Sequence, residues 1–177
     1  LLWVFTRIHR HYKEVARVLS TAGEHLTQRQ RRVETIVLVG DVHRETLRLV
    51  EFANSLGGPW TPLHIAVHPE RVPEIRRKWQ ERVGIGELVV ISSPYRSLTR
   101  PLRSYIEKRL KHNPDGFVQV VLGQLRTGNP MSQLLHQNAH LIEQLALDDI
   151  EGVVTTIVPL HLEQFRKVAT ITPVASP

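Results

Sequence analysis

Three groups of residues in this chain carry side chains suited to chemistry. The first is Asp41, Val42 and His43, which follow an apolar run at 36–39 and Gly40. A carboxylate there accepts hydrogen bonds. The N–H groups of Val42 and His43 would face an anion if a helix begins at that point. The second group is the loop SPYRSLTRPLR at 93–103. Ser93 and Ser97 supply hydroxyls beside Pro94, and the Tyr95 ring can stack on a base. Arg96, Arg100 and Arg103 carry guanidinium groups, whose planar fork suits phosphate oxygens. Cations in the first turn of a helix gain nothing from its dipole, so their presence points to an anionic ligand. The third group is Gly123 and Gln124, which open the turn-rich stretch GQLRTGNP.

Other chemistry is poorly supported. His64 and His68 would share one face of a strand, but no third ligand of matching pattern accompanies them. They read as ordinary strand-face histidines, and no metal is expected. His43 beside Asp41 is the nearest approach to a catalytic pair. The chain has no Gly-x-Ser-x-Gly elbow, no paired-carboxylate site and no cysteine. Asp148 and Asp149 sit at a helix end, where a solvated turn explains them. The residues favour a binding module over an enzyme.

The elements that must hold these groups alternate. Val33 and 36–39 form a nearly continuous apolar run rich in β-branched residues, the pattern of a strand buried on both faces. From His43 onward, Leu47, Leu49, Val50, Phe52, Ala53 and Leu56 follow helical spacing, and Gly57-Gly58 stop the helix. A second strand is expected at 62–68. A charged helix follows at 70–83, with Val72, Ile75, Trp79 and Val83 inward and Pro73 in its first turn. Strand three is expected at 87–93, and a helix runs from the arginine loop to about Leu110 with Leu102 and Ile106 inward. Strand four is expected at 117–122, a helix at 132–147 and strand five at 153–158. Strands and helices alternating in this way imply an α/β fold with a doubly wound parallel sheet. Loops at the carboxyl ends of such strands are where ligands bind.

Charge divides the chain. Of its 177 residues, 1–32 hold seven Lys/Arg against Glu14 and Glu24, while 33–177 hold sixteen basic and fifteen acidic residues. The body is nearly neutral and the first segment strongly basic. A nucleic-acid-binding domain would spread such charge over a folded face, so no nucleic acid is expected. The chain starts LLWVF and turns at once to Arg7, His9, Arg10, His11 and Lys13. That order resembles the cytoplasmic exit of a membrane helix, with Trp at the interface and cations inside. It is the reverse of a signal peptide. Val4, Ile8, Tyr12, Val15 and Leu19 recur at helical spacing, so an amphipathic helix near an anionic membrane surface at 7–17 is expected. The plainer alternative is a surface helix packed on the domain. The chain contains no apolar run of about 18 residues or more. Three segments follow: a membrane-proximal basic helix and linker at 1–32, the α/β domain at 33–158 and a tail at 159–177.

The strand, Gly40, Asp41 and helix start resemble the universal stress proteins, a nucleotide-binding α/β family. That resemblance implies that Asp41 lies in an adenine-nucleotide pocket. Four residues separate Gly123 from Gly128 where two separate the glycines of ATP-binding members, and the later Gly-Ser position falls near Gln137-Asn138. Conventional ATP binding is therefore not implied. A wider resemblance rests on RIHRHYKEVA at 7–16, VGDVHRETLRLVEFANSL at 39–56, SPYRSLTRPLRSYI at 93–106, LLHQNAHL at 134–141 and VVTTIVPLHL at 153–162. These stretches look like the stress-protein-like cytoplasmic domain at the C-terminus of APC-superfamily permeases, among them KimA-like potassium importers and amino-acid permeases. The resemblance implies a sheet of order 3-2-1-4-5 and a homodimer joined to the membrane domain of its own chain. It also implies a regulatory adenine nucleotide, cyclic di-AMP foremost, with no other cofactor. On that reading Tyr95 stacks on adenine, Arg96 and Arg100 meet phosphate and Arg103 matters less. A ligand-free dimerisation scaffold and an ATP- or AMP-binding sensor are the alternatives. The dimer contacts are expected from the helix at 4–19 and the tail from Pro159.

Overall fold

The computed structural model describes residues 2–18, 30–93, 97–126 and 147–161. The expected helix at 132–147 and most of the tail lie outside them. The chain divides into two compact units, 1–30 and 31–177. The first contains helix α1, Leu2–Val18, on which Ile8, Tyr12 and Val15 form an exposed apolar stripe opposite Arg10, Lys13 and Arg17. No helix among the described residues is long and apolar enough to cross a membrane.

The second unit is an α/β domain. Its strands are β1 (Val33–Leu38), β2 (Trp60–Ala66), β3 (Val89–Ser92), β4 (Phe117–Arg126) and β5 (Val153–His161). All four pairings are parallel, in the order β3-β2-β1-β4-β5. The helices are α2 (Arg44–Ser55), α3 (Val72–Arg82) and α4 (Thr99–His112). Strand alternation divides the core. Val37 and Val121 point to the face covered by Leu49, Val50 and Ala53 of α2 and by Ile75 and Trp79 of α3. Ile36, Val118, Val120 and Leu122 point to the opposite face, against Leu102 and Ile106 of α4 and Leu147. Strand β1 is therefore buried on both sides, which is why its sequence is a run of apolar residues without alternation.

A polar ladder crosses the sheet at one level. The Thr35 hydroxyl donates to the Gln119 side-chain oxygen at 3.1 Å, and the Gln119 amide donates to the Thr156 hydroxyl at 2.9 Å. Both ends of a half-buried amide are thus satisfied. Ion pairs fix α4 from two sides: Arg109 grips Glu34 of β1, and Arg103 makes a bidentate pair with Asp149 at 2.7 and 3.0 Å. Asp149 lies in an exposed turn, as its sequence suggests, and also pairs with Arg103 there. The chain enters the unit along α4's far end. Asn113 and the Phe117 N–H both donate to the Arg32 carbonyl, and the Arg31 guanidinium lies over the Phe117 ring. A Cβ at Gly116 would lie 2.6 Å from that same carbonyl, so the approach requires glycine.

Strand β3, at Val89–Ser92, and helix α3, at Val72–Arg82, are each shorter at both ends than the expected 87–93 and 70–83, and three other strand ends change the setting of named residues. Strand β2 ends at Ala66, which leaves His68 beyond the strand, exposed and 3.1 Å from Glu70. Of the two histidines only His64 lies in the sheet, buried, with Nδ1 2.8 Å from the Val39 carbonyl. Strand β4 continues to Arg126, so Gly123 and Gln124 belong to a strand and not to a loop. Strand β5 continues through Pro159 to His161. Among the described strands β5 is at the edge, where a missing N–H is tolerated.

Candidate functional site

In a sheet of this order the crossovers from β1 leave in one direction and return on the other side of it at β4. The gap between those two strands is the topological switch point. A cavity of about 200 Å³ opens there, lined by Leu38 at the end of β1 and residues 39–41 after it, by His43, Glu45 and Thr46 at the start of α2, by Leu98 and by Gly123 of β4. Asp41, His43 and Gly123 are thus brought together around one opening.

The loop that shapes this cavity is tightly bonded. The Val42 N–H donates to Asp41 Oδ1 at 2.6 Å, and the His43 N–H donates to the Thr46 hydroxyl at 3.4 Å. The Thr46 hydroxyl in turn donates to the Asp41 carbonyl. The two backbone donors that the sequence sets aside for a ligand are therefore engaged within the loop. Asp41 also holds α3 at two points: Nη2 of Arg71, at the helix entry, lies 2.7 Å from Oδ2, and Nζ of Lys78, within the helix, lies 3.6 Å from Oδ1. Burial alone would push the Asp41 carboxyl up. The Val42 N–H, His43, Lys78 and Arg71 together outweigh it and hold the carboxyl below its usual range.

A second cavity, of about 530 Å³, lies between edge strand β3 and α4. Ser93, Ser97, Arg100, Ser104, Tyr105 and Lys108 line it. Ser93 is buried, and its hydroxyl donates to the Ser97 carbonyl at 2.6 Å, so it closes the loop instead of facing outward. Arg100 is exposed and makes no ion pair with a described residue, unlike Arg103 and Arg109 on the same helix. The stretch 97–100 is a wall shared by both cavities: Leu98 faces the first, Ser97 and Arg100 the second. Pro94, Tyr95 and Arg96 lie outside the described residues. Gln124 lies beyond the first cavity, paired in register with Pro159 of β5.

Sequence reasoning passed over Glu45, Thr46, Ser104, Tyr105 and Lys108. A signal for two of them was legible, because 104 and 108 recur on the helix face that carries 100. Glu45 carried none, since an acidic residue in a first helical turn is ordinary. Among the described residues no group of three or more His, Asp or Glu side chains is arranged to hold a metal ion.

Residues 29–160 match the family described as the KimA potassium transporter C-terminal domain. The chain belongs to that family. It is 23% identical over 163 residues to the potassium transporter KimA of Bacillus subtilis (strain 168), a match that covers 91% of this chain and 27% of that protein. The chain thus spans about a quarter of the length of its curated relative. Both cavities lie within the part that matches the KimA C-terminal domain family, and so do β1 to β4 and all but the last residue of β5. The family assignment agrees with the transporter-domain resemblance in the sequence. It makes the chain a transporter-associated domain.

Proposed function

We propose that this chain is the cytoplasmic regulatory and dimerisation domain of a potassium transporter, and that it binds an adenine nucleotide, cyclic di-AMP foremost. The observation that carries the nucleotide reading is the cavity at the β1–β4 switch point, built around Asp41 in a member of the KimA C-terminal domain family. Potassium is favoured over an amino acid as the transported solute by the name of the B. subtilis relative. The domain has no catalytic step in this reading. A ligand that binds one arrangement of two paired domains better than another shifts the pair toward it, and the attached membrane parts follow. Helix α1, with Arg7, Arg10, Lys13 and Arg17, lies near the anionic membrane surface.

Calorimetric titration of the chain with cyclic di-AMP, AMP and ATP tests the reading. Saturable binding is expected, tightest for cyclic di-AMP. Absence of binding to all three would remove the nucleotide and leave a ligand-free dimerisation scaffold. One observation favours that second reading: the Val42 and His43 N–H groups and the Asp41 carboxylate already have partners inside the fold.

A further inference from the structure

The two cavities are sorted by charge. The chain carries a net charge of +6, yet among the described residues no Lys or Arg lines the switch-point cavity, which holds the carboxylates of Asp41 and Glu45. The α4 groove holds Arg100 and Lys108 and, among the described residues, no carboxylate. Asp41 is offset by Arg71 and Lys78. Glu45 makes no ion pair with a described residue. Its carboxylate lies against the backbone of Gly123, where a Cβ would overlap it. The place beside α2's first turn, which folds of this build offer to a phosphate, is therefore occupied by the protein's own anion.

We infer that a bound nucleotide lies with its nucleoside end in the switch-point cavity and its phosphate end over the α4 groove. Glu45 is the specificity-determining residue that sets this polarity. The inference rests on the nucleotide reading above. An ionised carboxylate only accepts hydrogen bonds. The adenine amino group and the ribose hydroxyls are donors and suit Asp41 and Glu45, whereas a phosphate in the same place would meet like charge. Arg100 and Lys108 sit beyond the shared wall at Leu98 and supply the charge-assisted donors that phosphate needs. Glycine at 123 leaves room for the Glu45 carboxylate, which a Cβ there would push aside.

The test titrates wild type, Glu45→Gln, Arg100→Ala and Lys108→Ala with adenosine, AMP and cyclic di-AMP, after thermal melts confirm that each variant folds. Glu45→Gln is expected to weaken adenosine and AMP by the same factor. Arg100→Ala is expected to weaken AMP about tenfold or more and to spare adenosine, with Lys108→Ala acting in the same direction. The reverse polarity gives the opposite pattern: Glu45→Gln strengthens AMP, and Arg100→Ala does not distinguish the two ligands. Either of those results overturns the inference, as does AMP binding that adenosine cannot compete away. Wild type that binds none of the three overturns both the nucleotide reading and the polarity. Binding with the wrong variant pattern overturns the polarity alone.

Discussion

Asp41 serves the fold as well as the cavity, and its titration should be visible in stability. Its carboxyl titrates below the ordinary value of 3.8 in the folded chain. A depressed carboxyl stabilises the fold above its unfolded pKa, and the contribution is lost as pH falls through the folded pKa. Thermal melts of wild type and Asp41→Asn should therefore differ at neutral pH and converge in acid below 3.8. A gap that stays constant with pH would show that the substitution acts through packing and not through charge. His64 is a second residue whose work is structural. It is the buried partner of the Val39 carbonyl, so His64→Leu should cost about 1–3 kcal/mol in a urea titration, the desolvation of an orphaned acceptor. The placement of Asp41 between the end of β1 and the start of α2 was legible in the sequence, because that strand end and helix start follow from hydrophobic period. The Arg71 and Lys78 partners of Asp41 could not be read that way. They come from another helix and its entry, thirty or more positions along the chain.

At the scale of elements, the five strands and the helices α2, α3 and α4 were legible because each carries its period and its stop signals. The ends of β4 and β5 were not. Gly123 and Gln124 look like a turn, and Pro159 like a strand terminator. Yet nine consecutive parallel pairs hold the two strands together, from Val118 with Val153 to Arg126 with His161. Pairing overrode local preference, as it does where two strands support each other. The Thr35–Gln119–Thr156 ladder shows the same dependence on tertiary context. A lone Gln in an apolar strand predicts a weak point, whereas here it links three strands. Gln119→Leu should leave the Thr35 hydroxyl without its acceptor and lower stability by about 1–3 kcal/mol. A variant as stable as wild type in chemical denaturation would mean that the ladder contributes nothing net.

For the molecule as a whole, β5 is an edge of the sheet among the described strands. It is nine residues long, and Val154 is 46% exposed. An edge of that length invites a partner strand, and in a symmetric dimer the partner is the same edge of a second copy. The proposed homodimer should then show in light scattering as twice the mass of the 20.3 kDa chain. Val154→Lys should shift it toward monomer without lowering the melting temperature of the isolated domain; an unchanged dimer mass would place the contact elsewhere, on α1 or the tail. One further consequence follows from α4. Its first turn borders the second cavity and Leu98, just ahead of it, borders the first, while its last turn leads directly to Asn113 and Phe117, which bind Arg32. Fourteen helical residues make a stiff rod of about 21 Å. Glu34, pinned by Arg109, is two residues from that anchorage. The rod behaves as a lever: whatever displaces its near end must carry the doorway of the domain, Arg31 and Arg32, along with it, or else break the bonds that hold that doorway shut.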